Sequence, residues 1–388
     1  MRSLPRITKK GTALLMSAIF FALATSGCQT GSQPQESQVV SISESINEAP
    51  SIAVSEPEPE PEPEPNNDWE FDAPENHGAD GELLDQMHTA LGGTQIHSAV
   101  TVKDGVIIDE YYQDGYDETS IFPVHSASKS FTSALIGIAI EEGLISGIDA
   151  KLSEYLPQAT DTDKADITLR HLLTHTGGFE WYEWGGGYTN FFEWRGTDNW
   201  VDYILNRQMV AQPGAVFNYT TGGTHLLTAV LQQVTGQTAL EYGQEHIFGP
   251  MGMDSVEWGT DPQGVMDGGN GLLMNARDMA KFGQMFLNGG KWHDRQLVPE
   301  TWVEQSTGLQ YARPGSDSYG YQWWLRSLGA GNYDTYFAMG AWGQFIFVVP
   351  ELNLVTVMTS THKDNTYLPR TYFSDYIIAA CTRQQESE

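Results

Sequence analysis

The spacing of apolar positions changes along this chain, and each change predicts an element. Gly81 to Leu91 has the three-and-four spacing of a short helix. Ser98 to Tyr112 reads as a hairpin, because β-branched runs flank Lys103-Asp104-Gly105 and Asp-Gly is a strong turn signal. Ser126 to Glu142 reads as a buried helix. Its centre, Phe131 to Ile140, is almost continuous in apolar and small residues, and Gly143 ends it. Helical spacing returns over Thr168–Thr174, Trp200–Asn206, Gly222–Gly236 and Asn275–Asn288. The period then shortens. Tyr319–Leu325, Thr335–Met339, Gln344–Val349 and Leu354–Thr359 read as strands, with Pro350-Glu351-Leu352-Asn353 as the turn joining the last pair. Tyr367 to Cys381 closes the chain as a helix. Strands first, helices in the middle and strands again at the end predict an α+β fold. One antiparallel sheet is built from both ends of the chain and flanked by helices, with a mainly helical region inserted.

The first 76 residues follow a different logic. Arg2, Arg6, Lys9 and Lys10 precede an apolar run from Ala13 to Ala24, the layout of a secretory signal peptide and too short to span a bilayer comfortably. Small residues lead to Cys28 in a pattern similar to a bacterial lipobox, although Thr25 stands where Leu is usual. The expectation is a lipoprotein-type signal over residues 1–27, cleavage before Cys28 and lipid attachment to its thiol, with plain secretion if the lipobox is not used. Residues 28–76 are rich in Ser, Gln, Glu and Pro, and no Lys or Arg occurs between Lys10 and Lys103. Glu56 to Pro65 alternates Glu and Pro strictly, which favours a polyproline II strut of roughly 30 Å at about 3.1 Å per residue. Such a segment has too little apolar surface to offset its ordering entropy and reads as an unpacked linker. The folded domain is expected over residues 77–388.

Charge and cysteine content narrow the partners. The chain has 388 residues, 20 basic against 50 acidic, for a net charge of −30, and no basic footprint for nucleic acid. Cys28 and Cys381 are the two cysteines, which rules out a disulfide scaffold and a CxxC zinc or redox motif. The sequence has no Walker, Rossmann or G-x-S-x-G fingerprint, and nothing in it calls for a cofactor. His171 and His175 have the i, i+4 spacing of a helical metal pair, but no Glu follows His171 and no third ligand is evident, so they read as structural.

Ser126-Ala127-Ser128-Lys129 is an S-x-x-K, and so is Ser360-Thr361-His362-Lys363. Context separates them: Ser126 opens the buried helix, whereas Ser360 trails off a strand. At a helix start, residues i and i+3 share a face, so the Ser126 hydroxyl and the Lys129 amine can meet. Free N–H groups there favour a developing oxyanion, and burial would lower the lysine pKa to supply a neutral amine as base.

Five phrases, the first containing the Ser126 tetrapeptide, resemble the serine β-lactamase and penicillin-binding superfamily, in its class C-like branch of esterases, amidases and 6-aminohexanoate-dimer hydrolases. They are Pro123-Val-His-Ser126-Ala-Ser-Lys129, Ile167-Thr-Leu-Arg-His171-Leu-Leu-Thr-His175-Thr-Gly-Gly, Gly269-Asn-Gly271-Leu-Leu-Met-Asn-Ala-Arg277-Asp278, Tyr319-Gly-Tyr-Gln-Trp323-Trp324 and Gly340-Ala-Trp-Gly343-Gln344. The resemblance spans about Glu82 to Ala380. It implies a β-lactamase/DD-peptidase-like fold and a cofactor-free serine hydrolase with Ser126 as nucleophile. Tyr219 then takes the place of the second-motif tyrosine, sharing the base role with Lys129 as a tyrosinate or a coupled phenol, and Thr221 stands where Asn or Ser is usual. Ala341-Trp342-Gly343 occupies the third motif. The oxyanion donors implied are the backbone N–H groups of Ser126 and Gln344, with Trp342, Gly343 and Thr221 lining the substrate. The cation that pairs with a penicillin carboxylate is absent there, which argues for an ester or amide over a β-lactam. Phe179 to Trp200 holds nine aromatics in 22 residues. They read either as an aromatic cleft wall, with Tyr182 and Trp184 on substrate, or as a satellite core. The expected partner is a small or oligomeric ester or amide, with the membrane reached through Cys28. The alternatives are a penicillin-recognising DD-peptidase or β-lactamase, and a catalytically silent cell-envelope binding lipoprotein.

Overall fold

A computed structural model describes residues 67–183 and 189–382. The signal segment, Cys28, the Glu-Pro alternation and Trp184 lie outside the described residues. Twelve strands occur among the described residues. The first five are β1 (Ile96–Lys103), β2 (Val106–Tyr112), β3 (Phe122–Pro123), β4 (Glu257–Trp258) and β5 (Leu272–Met274). Then come β6 (Lys291–Trp292), β7 (Arg295–Gln296), β8 (Ser318–Tyr319), β9 (Trp324–Leu328), β10 (Tyr333–Gly340), β11 (Gln344–Val349) and β12 (Leu354–Ser360). Seven form one sheet in the order β2-β1-β12-β11-β10-β9-β8, every pair antiparallel. β1 pairs with β12, Val100 opposite Val357, so the sheet does join the two ends of the domain.

This sheet is buried on both faces, and its alternate residues feed two cores. Val100, Val102, Ile346, Val348, Val355 and Val357 point to one, whereas Ala99, Phe345, Phe347, Leu354 and Met358 point to the other. A strand covered on both sides needs apolar residues at every position, which is why β11 and β12 read as continuous runs. Helix Ala276–Leu287 lies on the first face. Its Gly283 has no room for a side chain, since a Cβ there would sit 2.7 Å from Val355 and 2.8 Å from Ile346. Helix α1 (Gly81–Leu91) and the C-terminal helical run cover the second face, where Phe373 stacks on Phe347 at 4.2 Å. That run, Leu368–Tyr372, Phe373–Ile378 and Ala379–Thr382, contains a π-helical turn in its middle.

The hairpin turn has Asp104 and Gly105 at positive φ, as an Asp-Gly turn between twisted strands requires. Helix α2 (Ser128–Glu141) is preceded by a 3-10 turn, His125–Ala127, so Ser126 sits one turn ahead of the α-helix proper. The expected strand Tyr319–Leu325 is broken. It becomes β8 and β9 around Gln322, which has φ 65° and turns its amide inward. That amide donates to the carbonyls of Leu172 and Leu173 and accepts from Thr224, while the Gln322 carbonyl accepts from Ser130. One buried residue, through its side chain and its carbonyl, thus ties α2 to helices Leu169–Leu173 and Thr221–Thr235, and satisfying it outweighs continuing the strand.

The packed chain starts before His77. Trp69 meets Trp292 edge-on at 5.8 Å and donates to the Arg277 carbonyl, and the backbone around Phe71 pairs with Ile107. Composition placed these residues in the linker. The partly buried Trp69 ring and the backbone pairing at the exposed Phe71 are what anchor them.

Candidate active site

Two helix starts converge on one point. Ser126 and Lys129 come from the entry to α2, and Tyr219 and Thr221 from the entry to helix Thr221–Thr235. Lys129 is 1% exposed, and its Nζ lies 3.2 Å from Ser126 Oγ, 2.9 Å from Thr221 Oγ1 and 2.6 Å from the Gly269 carbonyl. Gly269 must be glycine for its backbone to come so close: a Cβ would stand 2.6 Å from Thr221 Cγ2 and 2.8 Å from the Thr221 carbonyl. Burial lowers the Lys129 pKa to about 8, against the opposing pull of Glu183 and Asp267. A lysine in that range supplies neutral amine near neutral pH.

The Tyr219 hydroxyl hydrogen-bonds Ser126, and its ring centroid is 4.9 Å from Lys129 Nζ. Burial, with Glu183 nearby, raises the Tyr219 pKa. The tyrosinate form is therefore disfavoured, and the phenol acts as a neutral hydrogen-bonding group. Its ring is held by Trp324, stacked at 5.6 Å, and by His175 at 4.4 Å. The Thr220 N–H donates to His175 Nδ1, which leaves Nε2–H to donate to the Tyr319 hydroxyl at 3.1 Å. Burial, then Lys129, keeps His175 neutral by holding its pKa well below the usual value. This histidine positions the tyrosine loop.

The β10–β11 turn abuts the 3-10 turn that carries Ser126. A Cβ on Gly340 would lie 2.2 Å from the Val124 carbonyl, two residues before Ser126. Gln344 pairs with Gly340 across the turn, and its side chain donates to the Ser360 carbonyl, which locks the end of β11 to β12. Trp342 and Gly343 occupy the turn at positive φ, and Trp342 packs edge-on against His125 at 4.7 Å. His125 itself has φ 49°, and burial pushes its imidazole down to about 4, with Arg195 acting in the same direction. The third motif lacks a cation of its own, but one stands beside it: Lys363 Nζ lies 4.6 Å from the Trp342 ring centroid. It comes from the second S-x-x-K, beyond the end of β12.

Four of the seven described aromatics in the stretch 179–200 are core. Phe179, Trp181, Trp194 and Trp200 are buried, and Trp194 packs on Trp181 and Trp200. Burying four large rings is worth more than presenting them to water. Tyr182 is 52% exposed, and among the described contacts none joins its ring to Ser126, Lys129 or Tyr219.

Sequence reasoning missed Glu183. Its carboxylate accepts from the Trp181 indole at 2.5 Å, from the Thr221 N–H at 3.0 Å and from the Thr221 hydroxyl at 2.5 Å. It also missed Asp267, which is buried, accepts from Arg195 and acts on Lys129 through space. An acid inside an aromatic run was the available signal for Glu183; Asp267 had none.

Residues 85–374 match the family model described as Beta-lactamase. The chain belongs to the beta-lactamase family. Among curated relatives of this beta-lactamase-family chain, the 6-aminohexanoate-dimer hydrolase of Paenarthrobacter ureafaciens is 22% identical over 306 residues, covering 72% of this chain and 76% of the relative. Lovastatin esterase of Penicillium rubens is 27% identical over 156 residues, covering 34% and 38%. Similar solved structures include the octameric penicillin-binding protein homologue from Pyrococcus abyssi, with TM-score 0.61 and 21% identity over 77% of this chain and 76% of that one. Another is EstCE1, a hydrolase with promiscuous acyltransferase activity, with TM-score 0.63 and 16% identity over 75% and 97%. The β-lactamase/penicillin-binding fold expected from the motifs is the fold observed.

Proposed function

We propose that this chain is a serine hydrolase that cleaves an ester or amide through an acyl-enzyme on Ser126. The observation that carries the reading is the buried Lys129 amine within hydrogen-bonding distance of the Ser126 hydroxyl. As Ser126 Oγ bonds to the substrate carbonyl carbon, its proton passes to Lys129 Nζ. The neutral Tyr219 phenol, hydrogen-bonded to Ser126, relays a proton to the leaving group. The backbone N–H groups of Ser126 and Gln344 hold the oxyanion, and Trp342, Gly343 and Thr221 line the acyl site. Water then attacks the acyl-enzyme with the same groups in reverse. With p-nitrophenyl acetate the wild type is expected to give a burst of p-nitrophenol, and Ser126→Ala none. A burst that survives the substitution overturns the assignment.

The runner-up is recognition of a penicillin-like carboxylate, favoured by Lys363 beside Trp342. Stable labelling by fluorescent penicillin, lost in Lys363→Ala, would support it. A silent binding protein predicts no burst at all. We also propose anchorage of the chain to a bacterial membrane through lipidated Cys28. Incorporation of labelled palmitate that persists in Cys28→Ser would overturn it.

A further inference from the structure

We propose that Glu183 is a positioning residue that keeps the Lys129 lone pair aimed at Ser126, by fixing the direction of one hydrogen bond at Thr221. The proposal rests on the Ser126–Lys129 reading above.

A threonine hydroxyl has one proton. At Thr221 that proton points to Glu183 Oε1, 2.5 Å away, because a carboxylate can only accept. The Glu183 carboxylate is itself fixed at its other oxygen by the Trp181 indole and the Thr221 N–H. With its proton committed, Thr221 Oγ1 offers only lone pairs to Lys129 Nζ at 2.9 Å, so Nζ must donate there. The Gly269 carbonyl, 2.6 Å from Nζ, is likewise only an acceptor. A neutral amine has two N–H bonds and one lone pair. Thr221 and Gly269 take both N–H bonds, so the lone pair faces the one remaining partner, Ser126 Oγ at 3.2 Å. That is the orientation a general base needs.

Without the carboxylate the Thr221 hydroxyl is free to rotate and donate to the Lys129 lone pair. The base would then be capped by its own neighbour, although every heavy atom stayed in place. Glu183 also has a through-space effect, since it pulls the Lys129 pKa upward against the larger effect of burial. Both carboxylate oxygens are occupied by donors from the protein, so Glu183 acts through Thr221 and Lys129, without touching the reacting atoms.

The test is the acylation rate of Ser126 by a fluorophosphonate across pH 6–10, in wild type, Glu183→Gln, Thr221→Val and the double variant. In Glu183→Gln the plateau rate is expected to fall by about tenfold or more, and the rising limb to move to lower pH, because a negative neighbour of Lys129 is lost. Thr221→Val removes the hydroxyl that would do the capping. The double variant should therefore react no more slowly than Thr221→Val alone. Additive losses, or a limb that stays where it is in Glu183→Gln, overturn the proposal. If Glu183→Gln does not fold, Glu183→Asp keeps the charge but withdraws the carboxylate from Thr221 by one methylene. It should lower the plateau, and an unchanged plateau overturns the proposal equally. Labelling that persists in Ser126→Ala would instead bring down the serine reading itself, so the two failures are told apart.

Discussion

Lys129 is held in the fold at a cost, and the cost has a pH signature. Lowering its pKa from 10.5 to about 8 corresponds to about 3 kcal/mol at 1.36 kcal/mol per pH unit. Below pH 8 the folded chain must carry the buried ammonium, and the whole penalty is present. Between pH 8 and 10.5 the unfolded chain holds more protons than the folded one, so this contribution to stability rises with pH. Lys129→Met, which fills the same space without a charge, is expected to be more stable than wild type at pH 7 and to lose part of that advantage by pH 9.5. Urea denaturation at both pH values checks it, and an advantage that does not shrink would contradict the burial account. At this scale much was legible. Ser126 and Lys129 could be named because they share a face at a helix start, and Tyr219 and Thr221 because they match the second motif of the family the sequence resembles. Glu183 and Gly269 could not. One is joined to Lys129 through Thr221 and the other offers only a carbonyl, and both contacts exist only once distant segments have met.

At the scale of elements, the β10–β11 turn must lie flat against the 3-10 turn that carries Ser126. Gly340→Ala would drive a Cβ into the Val124 carbonyl. It is expected to cost about 1–3 kcal/mol, as overpacking does, and to lower acylation of Ser126 more than any change in substrate binding. Thermal unfolding and the acylation rate check it, and a variant with wild-type labelling would show that the turn is not part of the site. Helix α1 and the strands β11 and β12 were readable because each has a clear period or a long apolar run. The sheet of β3, β5 and β4 was not, since strands of two or three residues have no period to read. The break at Gln322 was hidden for a different reason: its neighbours are aromatic and strand-like, and only the buried acceptors at Leu172 and Leu173 make the turn worthwhile.

At the scale of the whole molecule, a sheet made from both chain ends means that neither end can be trimmed freely. The stretch from Asn67 to Asn76 lies along β2 and helix Ala276–Leu287. A chain beginning at Gly78 is expected to melt on the order of 5 °C below one beginning at Asn67, through loss of the Trp69 and Phe71 contacts. Equal melting temperatures would show that the segment adds nothing. The composition boundary at His77 missed this because a few aromatics hardly alter an average taken over a long acidic tract.

The most direct measurement is the rate at which a fluorophosphonate labels the peptide containing Ser126, followed by mass spectrometry from pH 6 to 10. A neutral, buried Lys129 as base predicts the label on Ser126, with a rate that rises with pH through a midpoint near 8. A label on another residue, or a rate on Ser126 that does not change across that range, would contradict it.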